Sequence, residues 1–257
     1  MTPTGKAIYA RRPGWYPQGN PALYAKWLGC SFIALNHFAS RDEHIQQAHD
    51  LELPVYLWSH PASWTPDNWS ITLDEMAERV YVHGLRGFIA DPETDWQDAD
   101  RGPLADQLGV AARSLPSVGI TSYPSWYIQD FAHVADSGLW ASPQLYGIIS
   151  PESPQELHRR AERWRTLFGS NVVPSLAAWR RSPEEQQSYL DHFKSERGAI
   201  LWQTATAMGS DGRIQPAPGT AGFEVLRNWQ PNGAFGRALL ARFVSKVVQP
   251  YPFGRLV

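Results

Sequence analysis

Short runs rich in apolar and β-branched residues recur along the chain, and each is followed by a stretch whose apolar positions repeat with helical spacing. The runs are Ala7-Ile8-Tyr9-Ala10, Ser31–Leu35, Val55–Trp58, Gly87–Ala90, Ser117–Thr121, Pro143–Tyr146, Val172–Leu176 and Ala199–Gln203. The helical stretches lie near Ala22–Leu28, Arg41–Leu51, Leu104–Ser114, Tyr127–Ala135 and Ala221–Asn228, with three more opening at Thr72, Ser153 and Ser182. Those three carry start signals. Thr72-Leu73-Asp74-Glu75 reads as a capping box, and Ser153-Pro154-Gln155-Glu156 and Ser182-Pro183-Glu184-Glu185 combine a cap, a proline at the first helical position and an acid at the third. Eight strand–helix alternations predict an α/β chain whose parallel sheet closes into a (β/α)8 TIM barrel. An open doubly wound sheet would carry a glycine-rich phosphate turn after its first strand, and none is present.

The segment after Trp229 exceeds an eight-fold count. Ala234–Val248 places Phe235, Leu239, Phe243 and Val247 on one helical side. Residues 231–257 hold Arg237, Arg242, Lys246 and Arg255 and no acid. The chain therefore divides into a barrel, residues 1–230, and a basic C-terminal helical extension, residues 231–257. Two readings of the extension stand: a helix packed across the bottom of the barrel, or a docking element for a protein partner.

Composition narrows the class. At 257 residues, with 43% hydrophobic and 19% charged positions, the chain suits one globular barrel. No apolar run is long enough for a membrane span, and Met1–Pro13 has no apolar core of a secretory signal. The expectation is a protein made in the cytoplasm. The single cysteine, Cys30, excludes an internal disulfide and reads as a buried thiol. A net charge of −2 gives no argument for nucleic acid as a partner. The 12 tryptophans suit either sugar stacking or core filling.

Candidate chemistry centres on the end of the fourth strand, Asp91-Pro92-Glu93. Barrel enzymes place catalytic groups at the C-terminal ends of strands. Strand alternation puts Ile89, Asp91 and Glu93 on one side, so both carboxylates would project into the barrel mouth. Close like charges keep one carboxyl protonated, and glycoside cleavage needs such an acid. The competing reading gives Asp91 a loop-capping role and Glu93 a salt bridge. Other strand-end groups that would line the mouth are Asn36, His37, Trp58, His60, Tyr123, Trp126, Gln144, Tyr146, Trp179 and Gln203. Polar groups beside aromatic platforms suit a glycan groove, while the alternative for several of them is barrel packing. His37, His60, Asp91 and Glu93 could hold Zn²⁺ or Mn²⁺, but no H-x-H or HExxH pattern accompanies them, so neither metal nor cofactor is expected. No G-x-S-x-G elbow supports a nucleophilic serine.

Phe88-Ile89-Ala90-Asp91-Pro92-Glu93 resembles the fourth-strand D-x-E of family 25 lysozymes, barrel enzymes that cut peptidoglycan. Thr121-Ser122-Tyr123-Pro124-Ser125-Trp126, Leu139-Trp140-Ala141-Ser142 with Tyr146, and Leu201-Trp202-Gln203-Thr204 are similar to that family's fifth-, sixth- and eighth-strand segments. The resemblance implies Glu93 as general acid, Asp91 as its assistant at the substrate acetamido group, and Trp202 and Gln203 among the substrate-binding residues. Two acids of that family, after strands one and eight, have no counterpart in Ile8-Tyr9-Ala10-Arg11 or Thr204-Ala205-Thr206-Ala207. The D-x-E is also similar to the end of the family 18 chitinase motif. The expected function is hydrolysis of an N-acetylated polysaccharide, peptidoglycan first, acting at the cell wall or from a phage particle. The alternative is a non-catalytic glycan-binding or structural barrel of a phage particle or injection-type assembly.

Overall fold

The computed structural model describes residues 1–59, 61–92, 100–122, 125–146, 153–177, 181–202 and 219–231. Eight strands are present: β1 Gly5–Ala10, β2 Phe32–Asn36, β3 Val55–Trp58, β4 Gly87–Ala90, β5 Val118–Ser122, β6 Trp140–Pro143, β7 Ser175–Ala177 and β8 Gly198–Trp202. Among the described residues seven α-helices alternate with them: α1 Pro21–Trp27, α2 Asp42–Asp50, α3 Trp69–Val82, α4 Gly102–Ser114, α5 Pro154–Phe168, α6 Pro183–Asp191 and α7 Ala221–Asn228. All strand pairs are parallel, in the order β6-β5-β4-β3-β2-β1-β8-β7. The ring closes between β6 and β7 through bridges at Ala141–Val172 and Gln144–Ser175. The chain is a (β/α)8 barrel, as the alternation predicts.

Both faces of the strands are buried, so they read as continuous apolar runs rather than as alternating ones. Ile8, Ile33, Leu35, Val55, Leu57, Phe88, Ile120 and Leu201 face outward and pack beneath the helices. Helix α5 meets this layer with Leu157, Ala161, Trp164 and Phe168 along one stripe. Ala7, Tyr9, Phe32, Ala34, Tyr56, Trp58, Ile89, Trp140, Val173 and Ile200 face inward and fill the barrel. Two glycines make room for this interior. A β-carbon at Gly119 would lie 2.4 Å from the Trp140 ring, and one at Gly87 would lie 1.7 Å from the Ser117 carbonyl oxygen. Small residues on β4 and β5 thus admit a full indole in the barrel and a close approach of the strand that leads to Asp91.

Several boundaries differ from the sequence reading. Thr72 is not a cap: α3 begins a turn earlier, after Asn68, and the Thr72 hydroxyl donates to the Ser63 carbonyl at 2.7 Å. Ser153 and Ser182 are caps, each accepting from the backbone N–H three residues on at 3.2 Å. Strand β6 starts at Trp140, three residues before the expected run, because Trp140-Ala141-Ser142 pairs with β5 despite lacking β-branched residues. Strand β7 is confined to Ser175–Ala177, with Val172 making only an isolated bridge. The stretch expected as a helix from Tyr127 is a run of 3-10 turns, Ser125–Ser137. Cys30 is buried and free, its thiol pushed up to about 12 by desolvation. The basic extension lies outside the described residues beyond Pro231. Among the described residues no helix is long and apolar enough to cross a membrane.

Candidate active site

The mouth is assembled from strand ends whose side chains continue the inward alternation. Asp91 follows Ile89 by two positions and is buried, at 3% exposure. Its Oδ1 accepts a hydrogen bond from the Gln144 amide, Nε2, at 3.1 Å. Gln144 is itself held: its backbone N–H donates to Ser122 at 3.3 Å, and its carbonyl accepts from Arg160 Nη1 at 3.2 Å. The Ser122 hydroxyl donates to the Pro92 carbonyl at 3.1 Å, which fixes the turn that leaves β4. A buried carboxylate needs such donors, since desolvation without them is costly.

An aromatic wall stands beside this carboxylate. The Trp58 and Trp202 rings meet edge-on at 5.1 Å between centroids, and both contact Tyr9, at 5.4 and 5.3 Å. Tyr146 stacks on Trp202 at 6.1 Å with the planes 20° apart. Trp58 Nε1 donates to the Ala10 carbonyl at 3.3 Å, so the ring ties β3 to β1. Arg181 positions the Tyr146 segment, donating to the carbonyls of Tyr146 and Ala177 at 3.0 Å each while its guanidinium lies over the Tyr189 ring.

Beneath the wall lies a ladder of hydroxyls that the sequence reading did not single out. The Tyr9 hydroxyl pairs with Ser175 at 3.2 Å, Ser175 with Ser142 at 2.7 Å, Ser142 donates to the Val173 carbonyl at 2.6 Å, and Thr121 donates to the Ser142 carbonyl at 2.7 Å. Burial pushes the Tyr9 phenol up to about 12, and the Asp91 charge adds to the rise against hydroxyl neighbours that oppose it. Tyr9 therefore stays protonated at working pH and serves as a hydrogen-bonding group rather than a base. The signal was in the sequence: Tyr9, Thr121, Ser142 and Ser175 are polar positions inside apolar runs, and such groups find partners.

The structure gathers Asp91, Gln144, Tyr146, Trp58 and Trp202 into one site. Asn36 ends β2 in the inward register, and its Oδ1 is occupied by the Ala39 N–H at 2.9 Å. His37 departs from the expectation. It points outward, its ring held between Glu75 at 3.2 Å and Arg79 at 3.3 Å on α3. Burial lowers its pKa. A metal site joining His37 to Asp91 is thus excluded by direction. Among the described residues no group of three or more His, Cys, Asp or Glu side chains is arranged to hold a metal ion. Glu93, His60, Tyr123, Trp179 and Gln203 lie outside the described residues, as does the side chain of Trp126.

No protein-family model matches the sequence, and no curated protein matches it. Solved structures do match its fold. An endo-β-N-acetylglucosaminidase from Cordyceps militaris aligns over 86% of this chain and 89% of its own, at TM-score 0.58 and 14% identity. A variant of that enzyme, with an Asp→Asn and a Glu→Gln substitution two positions apart, is in complex with fucosyl-N-acetylglucosamine-Asn. It aligns over the same shares at TM-score 0.60 and 10% identity. The GH18 chitinase ChiB of Flavobacterium johnsoniae covers 88% of this chain and 94% of its own, at TM-score 0.60 and 8% identity. At these identities the likeness is one of fold, a barrel that hosts many chemistries.

Proposed function

We propose that this barrel is a glycoside hydrolase acting on an N-acetylated polysaccharide, with peptidoglycan as the substrate. The observation that carries the reading is the buried Asp91 carboxylate, held by Gln144 at the C-terminal end of β4 beside the wall of Tyr9, Trp58, Trp202 and Tyr146. Aromatic faces and hydrogen-bonding edges in one concave site are what a sugar ring requires. In this reading Glu93, next but one after Asp91, protonates the glycosidic oxygen, and Asp91 orients the substrate acetamido group or stabilises positive charge. The Asp and Glu two positions apart in the Cordyceps militaris variant, and the N-acetylglucosamine ligand of that structure, support the spacing and the sugar class. Gln144, Tyr146 and Trp202 contact the sugar, with Asn36, His60, Tyr123, Trp126 and Gln203 as further substrate-binding residues.

The basic segment 231–257 is proposed as a separate docking element. Buried Lys6, at the start of β1, holds the carbonyls of Leu226, Arg227 and Trp229, and Gln230 reaches Gly29. Residues 226–230 therefore lie at the end of the barrel opposite the mouth. The test of the enzymatic reading is clearing of bacterial cell-wall suspensions. Wild-type protein clears them and Glu93→Gln does not, with equal melting temperatures. Clearing by Glu93→Gln contradicts the assignment, and wall binding without clearing by the wild type makes the barrel a binding module.

A further inference from the structure

The loop after β1 carries two guanidiniums that meet no carboxylate among the described residues. Arg11 and Arg12 both lie over the indole of Trp15, their Cζ atoms 5.8 and 5.4 Å from the ring centroid. Arg11 is half-buried and Arg12 exposed. Among the described residues neither is paired with a carboxylate, and unlike other unpaired arginines the two share one indole. Burial lowers the Arg11 pKa, and the neighbouring Arg12 charge adds to the effect. The loop is not free to spread them. Pro13 opens a 3-10 turn through Trp15, and the buried Tyr16 hydroxyl donates to the Tyr9 carbonyl at 3.3 Å.

The place of this pair is specific. Tyr9, near the C-terminal end of β1, touches Trp58 and Trp202, and residues 11–15 follow that end directly, which puts the loop at the mouth end of the barrel. The residue between, Ala10, is anchored by the Trp58 indole. The pair therefore belongs to the loop layer at the mouth end, on the strand whose Tyr9 lines the proposed sugar site. Stacking on indole stabilises a guanidinium by only about 0.5–1 kcal/mol at an exposed position, and a second like charge opposes it. A carboxylate bound between two guanidinium forks relieves that repulsion and forms charge-assisted hydrogen bonds.

We propose that Arg11, Arg12 and Trp15 form a subsite for a carboxylate carried by the substrate glycan, so that the barrel selects anionic over neutral N-acetylated chains. This rests on the glycan-site reading above. Two sources offer the same chemistry: the lactyl or peptide carboxylates of peptidoglycan, and the uronate of an alternating N-acetylhexosamine–uronate chain.

The experiment measures equilibrium binding of full-length Glu93→Gln protein to three soluble probes: a peptidoglycan fragment, an N-acetylhexosamine–uronate oligosaccharide and a neutral chitin oligosaccharide. The readout is the ratio of anionic to neutral affinity, expected to be about tenfold or more from one charge-assisted contact. Arg11→Gln/Arg12→Gln brings the ratio towards one, and Arg11→Lys/Arg12→Lys retains part of it. Preference for one anionic probe over the other identifies the source of the carboxylate. A ratio near one in the starting protein overturns the subsite, as does a preference untouched by the double Gln variant, which would locate it in the basic extension. Arginine-dependent preference in a protein whose wild type cuts no glycan upholds the subsite and removes the hydrolase reading. Cleavage of neutral and anionic chains alike, with silent arginine variants, does the reverse.

Discussion

Replacing Gln144 by Met tests whether the contact that holds Asp91 matters for chemistry. The substitution keeps most of the side-chain volume and removes the amide donor, 3.1 Å from Asp91 Oδ1 in a site where both residues are buried. A hydrogen bond to a charged group contributes about 1.5–3 kcal/mol, and the lower part of that range applies because Asp91 has further interactions. If Asp91 acts on the substrate as it passes to the transition state, the loss falls on kcat more than on KM, by roughly 10- to 30-fold. Gln144→Glu should cost more, since it sets a second carboxylate against the first. The assay is steady-state release of reducing ends from a soluble N-acetylated glycan, with urea denaturation of each variant as a stability control. A Gln144→Met protein with kcat within about twofold of the wild type would refute the reasoning, whatever its stability.

Other outcomes follow from the packing. Lys6 is fully buried, and burial lowers its pKa from 10.5 to about 8. Its folded pKa lies below the unfolded one, so its contribution to stability is fully present above about 10.5 and lost as pH falls through about 8. The stability difference between wild type and Lys6→Met, from urea denaturation, should therefore shift in favour of the wild type across that window, by up to roughly 3 kcal/mol. Parallel curves would contradict it. Gly119→Ala drives a methyl into the Trp140 ring, whose indole also donates to Ser117 at 2.9 Å. The expected cost is about 1–3 kcal/mol, partly recovered in Gly119→Ala/Trp140→Leu, and thermal melts of the four-protein cycle read it directly. Additive losses would place the methyl elsewhere.

The barrel was legible because its signal is repeated eight times, and a misplaced edge does not disturb the alternation. Single edges were less secure. Thr72 has the side chains of a capping box, yet it sits inside α3, because a hydroxyl can satisfy a neighbouring loop carbonyl as readily as a helix N–H. Strand β6 hides in Trp140-Ala141-Ser142-Pro143, where neighbouring strands supply the pairing that local propensity lacks. At the site, Asp91, Gln144 and Tyr146 were legible as polar groups at strand ends. His37 was not, since one position in a strand reverses the direction of a side chain and only α3, with Glu75 and Arg79, reveals where it points. The members of the hydroxyl ladder stood out as polar positions inside apolar runs, but their pairing across strands, like the loop geometry of the Arg11–Arg12–Trp15 cluster, is encoded by no periodicity.

The central claim is that the carboxylate at the end of β4 serves glycosidic cleavage. Its most direct test is product analysis by mass spectrometry after incubating wild-type, Asp91→Asn and Glu93→Gln proteins with purified peptidoglycan. The account predicts fragments with new reducing ends from the wild type. It predicts a loss of about 100-fold or more in both variants, the scale set by removing a general acid, with melting temperatures preserved. Unaltered peptidoglycan after prolonged incubation with wild-type protein, or cleavage undiminished in Asp91→Asn, would contradict it.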